Sequence, residues 1–175
     1  MLEPILEILK YVLPSVVVFL TAFFVTKSFY NNELKKLEQQ LRAESRKDTL
    51  PLRLQAYERL AVFLERISPN NLIPRMAQPG MTALLFRQTL IQAVKMEYEH
   101  NLSQQIYVST NLWRTISFVK DELIKDINLL SASMPPETPA IELSKRILEH
   151  YLDSEHALPM QHALDMVKQE VKKLF

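Results

Sequence analysis

The chain of 175 residues has one glycine and no cysteine, and its 21 basic and 20 acidic side chains leave a formal net charge of +1. Without thiols there is no disulfide, thiolate metal site or cysteine nucleophile, and the lone Gly80 excludes a glycine-rich phosphate cradle, a dinucleotide fingerprint and a series of tight hairpins. The balanced charge argues against a nucleic-acid surface.

Taken in chain order, the first element is apolar. Tyr11 to Thr26 (YVLPSVVVFLTAFFVT) carries no charge and is bracketed by Lys10 and Lys27. A membrane-crossing helix needs roughly 17–25 residues. The bracketing lysines supply the missing turn by burying their aliphatic stems and lifting their ammonium groups to the headgroups. Lys10 and Tyr11 at one end and Lys27 and Tyr30 at the other are the expected interface residues. Pro14, near the start, is tolerated in a spanning helix. The acidic start, with Glu3 and Glu7, and the absence of a small-residue cleavage pattern argue against a cleaved signal peptide. A core helix is rarely apolar on every side.

Lys10 is the only basic side chain before the span, and Lys27, Lys35, Lys36, Arg42, Arg46 and Lys47 follow it. The positive-inside rule then places the amino terminus outside and the carboxy-terminal body in the cytoplasm, a compartment with which the lack of cysteine agrees. The expected domains are an anchor over 1–30, a helical linker over 31–49 and a cytoplasmic helical domain over 50–175. In the linker Leu34, Leu37 and Leu41 form a heptad-like seam, shorter than the three to four heptads that specify a coiled coil. Self-association and a solvated stalk are both open there.

The body is predicted all-α, an irregular bundle of about five helices. Asp48–Pro51 reads as a helix start, with Thr49 or Asp48 capping and Pro51 in the first turn. The helix so begun buries Leu50, Leu54, Tyr57, Ala61 and Leu64, widened by Leu60, Phe63 and Ile67, and stops at Ser68-Pro69-Asn70-Asn71. A short irregular or helical piece punctuated by Pro74, Pro79 and Gly80 precedes a helix from about Met81 to His100, with Leu84, Leu85, Ile91, Val94 and Tyr98 on its apolar side. Asn101–Ser109 then breaks the helical period; Ile106–Val108 could form a short extended piece, but one that has no partner strand in the chain. Ser109 or Thr110 then caps a helix with the seam Leu112, Ile116, Val119, Leu123, Ile127 and Leu130, and Asp121 and Lys125 form an outside pair. Thr138 and Pro139 begin a helix to about Leu152. Pro159 begins the last, with Met160, Leu164, Val167, Val171 and Leu174 inward.

Metal-type side chains gather only near the carboxy terminus. His150, Asp153 and His156 are three apart, and His162 and Asp165 repeat the step. A catalytic zinc needs three convergent ligands and an open position, whereas three-residue steps drift by about 60° each around a helix. Solvated helix-end residues are the expectation, a metal centre the competing one. Tyr57, Glu58, Arg59, Glu65 and Arg66 read as a charged face beside an apolar one, Trp113 as a packed residue next to the core seam, and His100 as a helix-end residue. No serine sits in a nucleophile elbow, and no kinase or deaminase signature is present. No cofactor is expected.

Leu54–Arg75 (LQAYERLAVFLERISPNNLIPR) and Glu97–Ser109 (EYEHNLSQQIYVS) resemble a bacterial family of uncharacterised single-pass membrane-anchored helical proteins. The resemblance implies a membrane-tethered helical body and carries no functional residue. The anchor, the heptad-like linker and the lack of a catalytic constellation point instead to a membrane-anchored interaction or scaffolding module. Its partners would be the lipid bilayer and other proteins or a second copy, with no nucleic acid. The competing functions are a membrane-bound metal-dependent hydrolase built on the carboxy-terminal histidines and a lipid-proximal structural protein.

Overall fold

The computed structural model describes the backbone of residues 2–152 and 154–175, and their side chains outside 2–9, 13, 42–43, 45–46 and 154–158. It is all-α. The elements are α1 (Leu2–Ile67), α2 (Pro69–Met76), α3 (Ala83–His100), a 3-10 turn (Leu102–Ile106), α4 (Thr110–Ala132), α5 (Ala140–Leu152) and α6 (Ser154–Lys172). No strand occurs among the described residues. One isolated antiparallel bridge joins Thr82 and Pro139, where Ala83 donates to the Thr138 carbonyl (2.6 Å) and Ala140 to that of Met81 (2.9 Å), tying the start of α3 to the start of α5.

The chain divides into two compact units, Met1–Thr49 and Leu50–Phe175. The first is wholly helical over its described residues. Its stretch Lys10–Leu41 contains an 18-residue window of mean hydropathy 1.8, long and apolar enough to cross a membrane, and none of that window is buried. Ser15 and Thr21 return their hydroxyls to the carbonyls of Val12 and Val17, both at 2.7 Å. Local bonding of this kind satisfies polar side chains in an apolar helix.

The second unit holds the core. Leu60, Leu64, Phe86, Leu90, Leu112, Ile116 and Leu143 are fully shielded, each contributing roughly 1.5–3 kcal/mol by leaving water. The α4 seam from Leu112 to Ile127 is buried as its 4-3-4-4 spacing requires, and Leu130 packs at its edge. Ser109 caps α4, its hydroxyl accepting from the Leu112 amide at 3.1 Å.

Several local expectations are corrected. α1 runs unbroken through Asp48–Pro51, so Pro51 lies inside a helix instead of opening one. Proline removes one backbone donor and crowds the preceding turn, which the helix on either side offsets. α3 begins at Ala83 with Thr82 as cap. It buries Ala83, Phe86, Leu90 and Val94, leaving Leu84 and Leu85 at 41% and 50% exposure, because the bridge to Pro139 sets the rotation of its first turn. Ile106 ends a 3-10 turn and is exposed, so there is no extended piece there. Lys125 pairs with Glu122 (3.1 Å) and Asp121 with Lys120 (2.6 Å), displacing the Asp121–Lys125 pair. α6 starts at Ser154 and carries Pro159 within it.

Candidate functional site: a basic groove between α1 and α3

Arg59, Val62, Phe63 and Arg66 recur at i, i+3, i+4 and i+7, so the end of α1 presents them on one stripe. Ala93, Met96, Glu97 and His100 repeat that spacing on α3. The two stripes line a groove of about 640 Å³, to which Arg75 and Met76 from the end of α2 also contribute. Its volume lies within the roughly 300–1,000 Å³ of ligand and peptide pockets. Phe63 forms a buried floor, while Val62 and Met96 stand 56% and 60% exposed on the walls.

The polar groups of the groove fall into two sets, one around the Glu97 carboxylate and one at His100. Arg66 donates to Glu97 Oε1 from Nε at 2.7 Å and from Nη2 at 2.6 Å. Arg75 Nη2 lies 3.7 Å from the same oxygen and donates to the Arg66 carbonyl at 3.1 Å. Arg59 Nη2 donates to His100 Nε2 at 2.9 Å. Three guanidinium groups and one carboxylate thus line the groove, two of the three within reach of that carboxylate. Asn101 ends α3 with its amide buried and donating to the Glu97 carbonyl at 2.8 Å.

An aromatic cluster backs the groove. The Tyr98 ring stacks on Trp113 at 5.3 Å between centroids, tilts against Phe63 at 6.1 Å and lies under Lys120 Nζ at 4.6 Å. The Tyr98 hydroxyl and Ser117 Oγ are 2.8 Å apart. These contacts hold α3 against α1 and α4, so the groove walls are set by packed rings and not by loops.

Two further polar clusters lie elsewhere in the body. The Tyr57 hydroxyl donates to Glu170 Oε2 at 2.9 Å and accepts from Arg53 Nη2 at 3.3 Å. Burial, foremost, raises the Tyr57 pKa above its ordinary value. Glu170 also accepts from the Ser109 amide (3.2 Å) and hydroxyl. Its carboxylate therefore sits at the α4 amino terminus, where the helix dipole favours negative charge. On the other side, the Tyr151 hydroxyl donates to Asp126 Oδ2 at 2.7 Å, with His150 Nε2 3.6 Å from that oxygen. Burial, then the Asp126 carboxylate, pushes the Tyr151 pKa well up.

Of the metal-type residues, His150 therefore lies against Asp126 of α4. His162 is exposed on α6, and Asp153 and the side chain of His156 lie outside the described residues. Among the described residues no three His, Asp or Glu side chains converge as a metal centre requires. Lys10, Tyr11 and Tyr30 are exposed on α1, and Lys27 Nζ stands 5.9 Å from the Phe23 ring centre. Tyr57 is core, not part of a solvated face. The groove escaped the sequence reading because Arg59 and Arg66 read as surface charge. The available signal was Val62, an apolar residue on the arginine stripe.

Residues 3–174 match the model of a family described as a family of unknown function (DUF7935). No curated protein and no solved structure matches the chain.

Proposed function

The chain belongs to this family of unknown function, and we propose that it is a membrane-anchored helical module that binds another protein through its carboxy-terminal body. The observation that carries this reading is an apolar window within the helical stretch Lys10–Leu41 that is entirely unburied, on a chain whose second unit closes a core of its own. Exposed Val16–Val25 side chains are costly in water and need a solvent of hydrocarbon. The excess of lysine and arginine after the span supports an amino terminus outside and a body in the cytoplasm. Nothing in the groove resembles a nucleophile with its base, so binding is the chemistry it supports.

Membrane fractionation tests the anchor. The chain is expected to stay in the pellet through an alkaline carbonate wash and to enter solution only with detergent. Protease should cut the body in inverted vesicles and spare it in right-side-out ones. Release by carbonate, or cleavage in the opposite vesicles, overturns the anchor or its orientation.

A second copy is a further partner in this reading. Leu34, Leu37 and Leu41 stand 48%, 53% and 56% exposed along one stripe of the first unit, an apolar seam without a cover inside that unit. Pairing two such seams removes both from water.

A further inference from the structure

Resting on the reading of the body as a protein-binding module, we propose that the groove between α1 and α3 is the docking site of an acidic amphipathic helix of a partner protein. Shape, apolar lining and charge point to the same occupant.

The walls are two helix stripes of matching i, i+3, i+4, i+7 register, which make a trough suited to the anchors of a third helix. Val62 and Met96 offer apolar surface at more than half exposure. Methionine adapts to the side chain it meets, a property of helix-binding grooves. The recessed Phe63 is the floor against which an apolar anchor would rest.

Charge decides the sign of the partner. Glu97 engages Arg66 with two short contacts, while Arg75 is 3.7 Å from the same oxygen. Arg59 meets the His100 imidazole, which brings no negative counter-charge. Arg59 and Arg75 therefore have guanidinium capacity to spare, and guanidinium pairs with carboxylates in directional, charge-assisted bonds. Glu97 occupies the place that a partner carboxylate would share. A bilayer suits the groove less well, because a near-planar surface does not reach a recessed floor between two helices.

The test uses the full chain in nanodiscs of neutral phosphatidylcholine and a fluorescent model helix of about 18 residues with leucines at i, i+3, i+4 and i+7 and flanking glutamates. Its isomer with flanking lysines is the control. The acidic helix is expected to bind saturably, weakening as salt rises. Arg59→Ala with Arg75→Ala should lower its affinity by about tenfold or more. Glu97→Gln, which removes the internal competitor, should raise it. Arg59→Glu with Arg75→Glu should transfer binding to the lysine isomer, a gain that misfolding does not produce.

Four results overturn the proposal: no saturable binding of the acidic helix, equal binding of the two helices, indifference to the arginine variants, or displacement of the helix by phosphatidylserine vesicles, which would assign the groove to a membrane surface. Failure here leaves the carbonate and protease results standing, and a chain freed by carbonate that still binds the acidic helix fails the anchor alone.

Discussion

Tyr151 shows how a single hydroxyl can be tied to a measurable pH dependence. Its proton is held by burial and by the bond to Asp126 Oδ2. In the unfolded chain a tyrosine loses its proton near pH 10, whereas the folded chain retains it to higher pH. Above that point the native state binds more protons than the unfolded state, so stability falls as pH rises and is intact below it. Trp113, the sole tryptophan, stacks on Tyr98 and reports unfolding by its fluorescence. Urea midpoints at about pH 9 and about pH 11 should differ less in Tyr151→Phe than in the parent chain. Gly80 makes a second prediction. Its φ of 80°, after Pro79 and with Met81 N bonded to the Gln78 carbonyl at 3.4 Å, is the signature of a type II turn. Gly80→Ala meets no atom within 4 Å yet should cost about 1–2 kcal/mol, because the left-handed region disfavours a Cβ. A cost near zero in the same urea assay would contradict the turn assignment.

At the scale of elements, α4 is the helix whose sequence and structure agree most closely. Its apolar seam is regular and buried, its cap is a serine, and α3, α5 and α6 all pack against the helix. Leu123→Ala should lower stability by about 2–5 kcal/mol, the cost of transfer plus cavity. Phe118→Ala, on the same helix but 55% exposed, should stay within about 0.5 kcal/mol. The chain has no cysteine, so Leu37→Cys introduces the sole thiol. Rapid oxidative crosslinking of Leu37→Cys in membranes, absent from Lys36→Cys beside it, is the expected mark of seam-to-seam pairing. Equal crosslinking at both positions would dismiss it. The elements where expectation and structure part are those whose boundaries depend on neighbours. The exposed faces of Leu84 and Leu85 follow from the Thr82–Pro139 bridge, and a proline inside α1 or α6 is tolerated only because helix forms on both sides of it.

For the molecule as a whole, the decisive fact is that one unit has a core and the other shows none among its described residues. Among the described residues, twenty-one buried side chains from Tyr57 to Val167 form one cluster within Leu50–Phe175, enough apolar surface for the body to fold alone. A chain beginning at Leu50 should therefore be helical by circular dichroism and melt cooperatively. A broad, non-cooperative melt would mean that the body depends on the residues before it.

All-α class, the apolar span and the inward faces of α4 and α6 were legible in the sequence, because each depends on the spacing of residues within one helix and that spacing survives folding unchanged. The groove was not. Arg59 and Glu97 lie far apart in the chain, and the stripe of one helix does not state which other stripe it will oppose. The packing of Phe63, Tyr98 and Trp113 sets α1 and α3 side by side, and only that placement turns ordinary surface arginines into a concave basic site. Local period is written along one segment, whereas the pairing of surfaces is a property of the packed core.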